Sequence, residues 1–347
     1  MRAVTAIAAT VIAACLALPA LPASAAETSA VDIVPVGLPL APPPEPPAAL
    51  MSPGPQAGTT ALPSPEPGAQ VQPAVPGAAT PFPVTPPASP SDVLPLPTSS
   101  PPASVGYDVS WPQCYATLPT GQAFGIVGVN GGLANNTNPC LAAQLSWAAA
   151  STGVTSQPRV ALYVNTANPP VAQASWWPSS NSYPPGALVP VANPYGQCVG
   201  AEGAACSYVY GYAKAYDNAT IRGVPNPASF FWWLDVETEN SWTSDTTANR
   251  AALEGMVHYY VDVLGVAGVG IYSTGQQWTE IVGGIGAVYS GTVAPGPSNL
   301  NGLPSWLAGA TTLAGAQAHC SDPALTGGTV TLAQYLRDNL DFNHACS

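Results

Sequence analysis

The chain has 347 residues, 42 of them proline, and carries 6 Lys and Arg against 18 Asp and Glu, a formal net charge of −12. That balance argues against a nucleic-acid partner, which rewards clustered cations, and against electrostatic adhesion to anionic lipid. A neutral ligand such as a glycan suits a chain with 7% charged and 8% aromatic residues better.

Residues 1–25 read as an export signal. Arg2 supplies the positive start, an apolar stretch runs from Ala3 to Leu18, and Ala23–Ala25 ("ASA") is a small-residue cleavage site. With Pro19 and Pro22 close behind, the apolar part is too short to span a bilayer, so no transmembrane span is expected once the signal is removed. A competing reading takes "IAAC", ending at Cys15, as a lipobox and anchors the chain by lipid at Cys15. Either way the protein is expected outside the cytoplasm, secreted or associated with the cell wall. Residues 26–103 are mostly Pro, Ala, Ser, Val and Gly and have no period to bury. They are read as a disordered, extended Pro/Ala-rich linker: a wall-spanning spacer, or a tail without a task.

The folded part is residues 104–347, a length that suits one large domain, including a barrel. In chain order, strands are predicted at 105–111, 124–130, 159–165, 229–237, 269–274, 305–309, 330–335 and 340–343, and helices at 139–151, 207–220, 247–264 and 276–283. Asp245 and Thr246 precede the third helix and Gly265 follows it, sound signals for its ends. Strands separated by helices point to parallel βαβ units. A modified (β/α) TIM-like barrel is the first reading of this α/β pattern, and an open doubly wound sheet the second. The Rossmann glycine fingerprint is missing, so a nucleotide site is disfavoured.

Apart from Cys15 there are six cysteines, Cys114, Cys140, Cys198, Cys206, Cys320 and Cys346, an even number that suggests disulfides in an exported protein. The pairings Cys114–Cys140, Cys198–Cys206 and Cys320–Cys346 are favoured because each closes a local loop. No CxxC occurs, so a zinc ribbon or a thioredoxin-type site is not expected.

The stretch "SFFWWLDVETENSW" (229–242) joins large aromatics to two acids. Alternation along a strand puts Phe230, Trp232, Leu234 and Val236 on one face, under helices, and Phe231, Trp233, Asp235 and Glu237 on the other. In a barrel the second face points inward, with the acids at the carboxyl end where barrel active sites lie. Two residues along a strand separate Cα atoms by roughly 6.6 Å. Carboxyl groups ~5–9.5 Å apart are what cleavage of a glycosidic bond uses. Close acids in a partly dry site push their pKa values apart, so Glu237 is assigned as general acid and Asp235 as its electrostatic partner. The alternative is that Glu237 opens a solvated loop and Asp235 caps a turn.

These residues resemble glycoside hydrolase family 25, the lysozyme-type muramidases. "GYDVSWPQC" resembles that family's opening strand, "WWLDVETENSW" its central D-x-E strand and "VGIYSTGQQW" the strand after it. "LPSWLAG", "LAQY" and "LDFN" resemble its late strands. The motifs keep the family's order, cover nearly all of 104–347, and look closer to a divergent, exported actinobacterial branch than to the well-studied lysozymes. The resemblance implies a barrel with an acidic groove. It implies Glu237 as proton donor, Asp235 as its partner, further acids at Asp108 and Asp341, and peptidoglycan as substrate, cut between N-acetylmuramic acid and N-acetylglucosamine. It also implies that the substrate's acetamido oxygen attacks while Asp235 orients it. Two strands depart from the family. The second reads "VGVNGG", with Asn130 where a charged or larger polar group is expected, and the third is followed by "YVNTANP". Both departures leave open an inactive, glycan-binding barrel, or a glycosidase for another envelope polysaccharide.

Trp111, Trp233, Trp242, Trp278 and Trp306 are candidates to stack on sugar rings, with core filling as the alternative. Asn130, Tyr272 and Gln334 stand near strand ends, where they can bond sugar hydroxyls or satisfy backbone. The substrate-binding set is therefore Trp111, Asn130, Trp233, Tyr272, Trp306 and Gln334. His258, His319 and His344 are scattered, and neither an H-E-x-x-H nor a G-x-S-x-G pattern occurs. No metal, no cofactor and a monomer are the expectation.

Overall fold

A computed structural model describes residues 104–284, 297–337 and 340–346. The expected export signal, Cys15 and the linker at 26–103 lie outside the described residues. Eight strands close into a barrel in chain order: β1 (Val105–Val109), β2 (Gly125–Gly128), β3 (Val160–Asn165), β4 (Phe231–Asp235), β5 (Gly268–Ser273), β6 (Ser305–Ala310), β7 (Val330–Arg337) and β8 (Leu340–Ala345). From β1 to β7 each strand runs parallel to the next, whereas β8 is antiparallel to both β7 and β1. The cause lies in the connections. Parallel neighbours need a long crossover, and α1 (Leu141–Ala149), α2 (Ala204–Thr220), α3 (Thr246–Val257), α4 (Gly275–Val282) and α5 (Leu313–His319) supply one after β2 to β6. Only two residues separate Arg337 from Leu340, too few for a crossover, and β8 accordingly runs antiparallel to β7.

All eight expected strands are present, β4 ending at Asp235 rather than at residue 237; one helical expectation is corrected, and one helix is additional to those expected. The helix expected over 247–264 is α-helical only to Val257. Wider π turns follow over His258–Leu264, and Gly265 stops them at φ 68°. Asp245 caps its start, accepting from the amides of Thr247 and Ala248. Helix α5 is absent from the sequence reading. It is seven residues long and buries only Ala316, so it has no apolar stripe to reveal it.

Alternation along each strand divides the core. Outward residues such as Trp232, Leu234, Ile271 and Val127 pack with Leu253, Met256 and Tyr260 of the helical layer. Inward residues Phe124, Ile126, Trp233, Trp306 and Leu332 fill the barrel. The aromatics fit because glycines face them. A Cβ on Gly270 would lie 2.2 Å from the Trp233 ring, and one on Gly268 2.6 Å from the Phe231 ring. Outside, α2 and α3 cross at Gly211 and Gly255, where a Cβ would come within 1.7 Å and 2.0 Å of the partner helix's carbonyl oxygens. Three disulfides form in the local pairs the sequence favours: Cys114–Cys140, Cys198–Cys206 and Cys320–Cys346. The first ties the β1–β2 connection to the start of α1. The second clamps the long β3–α2 connection onto α2. The third fastens the end of β8 to α5.

Candidate active site

A cleft of about 260 Å³ opens at the carboxyl ends of the parallel strands, lined by Asp108, Tyr163, Asp235, Glu237, Tyr272, Trp306, Gln334 and Asp341. Strand register brings them together. Asp108 on β1 pairs with Asp341 on β8. Because β8 runs against its neighbours, its first residues lie at the face where the other strands end. Asp235, the last residue of β4, sits between Asn165 of β3 and Tyr272 of β5. Tyr272 pairs in turn with Trp306 of β6, and Gln334 of β7 with Asn343 of β8. Glu237 lies two residues beyond the end of β4 and so belongs to a loop rather than to the strand expected to carry it. That loop is pinned: Trp242 Nε1 donates to the Glu237 carbonyl at 2.8 Å, and the Ser273 hydroxyl donates to the Val236 carbonyl at 2.7 Å.

The four carboxyl groups are held differently. Asp108 is buried, and its Oδ2 accepts from Asn343 Nδ2 at 2.6 Å and from Gln334 Nε2 at 3.1 Å. Gln334 is itself oriented by the Tyr272 hydroxyl, which donates to its Oε1 at 2.8 Å. Asp235 is 4% exposed; its Oδ2 accepts from Asn165 Nδ2 at 2.9 Å. Its Oδ1 is buried and receives no hydrogen bond from an amide or hydroxyl among the described residues. The Glu237 carboxyl lies within reach of the Asp235 carboxyl, and two carboxyls bond only by sharing a proton.

Burial is the leading cause by which every one of these acids is pushed above the ordinary carboxylate range. For Asp235 the charge of Glu237 adds to it, for Glu237 that of Glu239, and for Asp108 that of Asp341. The phenols of Tyr163 and Tyr272 are likewise held well above their usual value by burial, so both present neutral hydroxyls. A site with four acids in one small cleft therefore retains protons to higher pH than a solvated set would.

Of the residues expected to contact substrate, Tyr272, Trp306 and Gln334 line the cleft and three do not. Trp233 is 1% exposed and lies beneath it, its ring packed 5.7 Å from Trp306 and 4.8 Å from Phe231. Its parity along β4 is right, but its depth is wrong. Asn130 is also 1% exposed, and it works as a structural clamp. Its Nδ2 donates to the Asn136 carbonyl and to Asn218 Oδ1, each at 3.0 Å, and its Oδ1 accepts from the Asn165 amide. Trp111 is exposed but stands on the short turn after β1, outside the cleft lining. Trp278 is core, and Trp242 serves the Glu237 loop.

The histidines are apart from the cleft. His258 bonds the Tyr208 hydroxyl, His319 pairs with Asp322, and His344 meets Ser104. Among the described residues no group of three or more metal-ligating side chains is arranged to hold an ion.

Sequence reasoning missed Tyr163, Asn165 and Asn343. A signal existed for the first two: in "ALYVN", Tyr163 and Asn165 share the parity that turns Ala161 into the barrel.

No family model matches the sequence, and no curated protein matches it. Among solved structures, a muramidase from Trichobolus zukalii is similar at 15% identity and a TM-score of 0.39, covering 70% of this chain and 93% of that one. Likeness at that level fixes neither family nor activity.

Proposed function

We propose that this protein is an exported hydrolase of cell-wall glycan, of the muramidase type, using Glu237 as general acid and Asp235 as its partner. The observation that carries this reading is the convergence of Asp108, Asp235, Glu237 and Asp341 in one cleft, with the buried Asp235 Oδ1 left for a proton or a ligand. In the empty cleft, Asp235 and Glu237 hold one proton between them. The more buried Asp235 draws it more strongly. A sugar with an acetamido group, placed against Asp235, gives its N–H to that carboxylate and turns its carbonyl oxygen toward the anomeric carbon. The shared proton is then left on Glu237, which delivers it to the leaving glycosidic oxygen. The acetamido oxygen closes on the anomeric carbon, and water opens that ring with Glu237 as base, so configuration is retained.

Asn165 fixes the plane of the Asp235 carboxyl. Tyr272 and Gln334 form a rail of neutral donors and acceptors beside it. The Trp306 indole N–H is buried beside the cleft without a hydrogen-bond partner among the described residues. Asp108 and Asp341 form a second acidic pair, whose partial charge favours the cationic sugar in the transition state.

The domain at 104–347 is assigned to this activity, and residues 1–103 to export and spacing. The test is incubation of the purified protein with peptidoglycan and mass spectrometry of the products. New reducing ends on N-acetylmuramic acid support the muramidase reading. New ends on a different sugar name another glycosidase. Binding without any cleavage overturns the enzymatic reading in favour of a silent wall-binding barrel.

A further inference from the structure

A second hollow, of about 230 Å³, lies on the same barrel face across the Glu237 loop from the carboxylate cleft. Three successive connections wall it. The β2–α1 loop gives Leu133 and Asn135, the β3–α2 connection gives Pro169 and Gln173–Ser175, and the β4–α3 loop gives Glu239–Ser241. Tyr210 of α2 closes its base. From Glu237 to Glu239–Ser241 is two to four residues, at most ~7–14 Å along the chain. A polymer lying across the loop therefore reaches both hollows at once.

We propose that this hollow is a second sugar subsite, taking a neutral pyranose of the same glycan chain whose scissile bond lies in the carboxylate cleft; this rests on the hydrolase reading above. Its walls have the mixed character such a ring requires. Side-chain amides and hydroxyls (Asn135, Gln173, Ser175, Asn240, Ser241) suit sugar hydroxyls, and Leu133, Pro169 and Tyr210 suit the ring's C–H faces. Asn240 adds a second sign. Its amide nitrogen is buried without a hydrogen-bond partner among the described residues, although it sits on the loop that separates the two hollows. Among the described residues no lysine or arginine lines the hollow, and the one acid that does, Glu239, accepts from Gln277 Nε2 at 3.0 Å. A stem peptide with free carboxylates finds no cation there, so the glycan strand is the better occupant.

The hollow is also built to keep its shape. Asn135 Nδ2 donates to the Ser175 hydroxyl at 3.3 Å, joining two walls. The Asn168 amide donates to the Ser241 carbonyl at 2.9 Å, joining the second to the third. Lys214, the chain's one lysine, lies over the rings of Tyr210 and Trp176, 5.3 Å and 5.5 Å from their centres, and pairs with Asp217 at 3.5 Å. With the Cys198–Cys206 bond, these contacts fasten the β3–α2 connection over α2. A wall fixed before the ligand arrives loses less entropy on binding.

The test measures calorimetric affinity of the full-length Glu237→Gln protein for stem-free glycan fragments of two, four and six sugars, and for the same fragments bearing stem peptides. The expected result is that the longer stem-free fragments bind about tenfold tighter than the disaccharide, and that Ala174→Trp, which fills the hollow, removes that advantage. Asn240→Ala, which adds no bulk, reduces the advantage about threefold and guards against misfolding of the first variant. If the disaccharide binds but length adds nothing, or if the advantage survives both variants, the second subsite is wrong and the hydrolase reading stands. A gain that requires the stem peptide makes the occupant a peptide and also overturns the proposal. If no fragment binds at any length, both readings fall together.

Discussion

In the lower half of the barrel, Gly106, Gly268 and Gly270 face Phe124, Phe231 and Trp233; one or two residues further along the same or adjacent strands, Asp108, Asp235 and Tyr272 face a cleft. The lower layer spends its inward positions on packing. Each aromatic occupies the space that a neighbouring strand leaves by lacking a side chain, and the interior is closed to water. The upper layer spends the same inward positions on carboxyl groups that burial makes costly to ionise. One layer holds the barrel shut, and the other uses that dry floor to keep protons on acids. Stability and chemistry are thus separated by a few ångströms along the strands, so substitutions in the two layers are expected to have opposite signatures.

The largest effect is expected in the upper layer. Glu237→Gln keeps the shape and the loop contacts of residue 237, since Trp242 holds its backbone carbonyl rather than its side chain. In the proposed mechanism it removes the proton that the leaving oxygen needs. The rate of glycan cleavage is expected to fall by ~10²–10⁴-fold, with the melting temperature held or raised. A loss of activity accompanied by unfolding would break the separation of the layers. For the wild type, the raised Glu237 value places the alkaline limb of the pH–rate profile above the ordinary glutamate value of ~4.3.

The lower layer gives the reverse signature. Gly270→Ala puts a methyl group 2.2 Å from a Trp233 ring that has nowhere to go, wedged as it is against Phe231 and Trp306. Overpacking of this kind costs ~1–3 kcal/mol, and at ~2–4 °C per kcal/mol for a domain of this size it lowers the melting temperature by several degrees. Calorimetry decides it. An unchanged melting temperature would mean that the aromatic floor is looser than its register implies.

The sequence makes the floor easier to read than the rim. All eight strands are legible, because inward and outward residues alternate and helices or loops punctuate them. Asp235 follows from parity along its strand, Tyr272 and Gln334 from standing near strand ends, and Asp108 and Asp341 only from the resemblance of their strands to the family-25 motifs. What parity does not supply is depth. Trp233 and Asp235 share a face of β4, yet one is floor and the other lines the cleft, and only the register with β3 and β5 tells them apart. Asn130 illustrates the second limit. An amide at a strand end looks the same whether it awaits a ligand or holds Asn136, Asn218 and Asn165 together, as it does here. The second hollow is beyond sequence reasoning altogether, since its walls come from three connections without a motif.

The smallest effect sharpens the comparison most, because its sign depends on pH. Asp108 is buried at the wall of the cleft, and burial, then the charge of Asp341, raises its value well above that of a solvated aspartate. The folded protein therefore binds this proton more tightly than the unfolded chain does. Stability from this group is full below the unfolded value of ~3.9 and declines as pH rises toward the folded value. Asp108→Asn removes the titration and leaves an amide oxygen to accept from Asn343 and Gln334. Its melting temperature should exceed the wild type's at pH 7, and the gain should shrink as pH falls from the raised folded value toward the ordinary aspartate value of ~3.9. A lower melting temperature at every pH would mean that the bonds from Asn343 and Gln334 to an ionised carboxylate outweigh its burial. Asp108 would then belong with the structural floor, and the acidic rim would begin at Asp235.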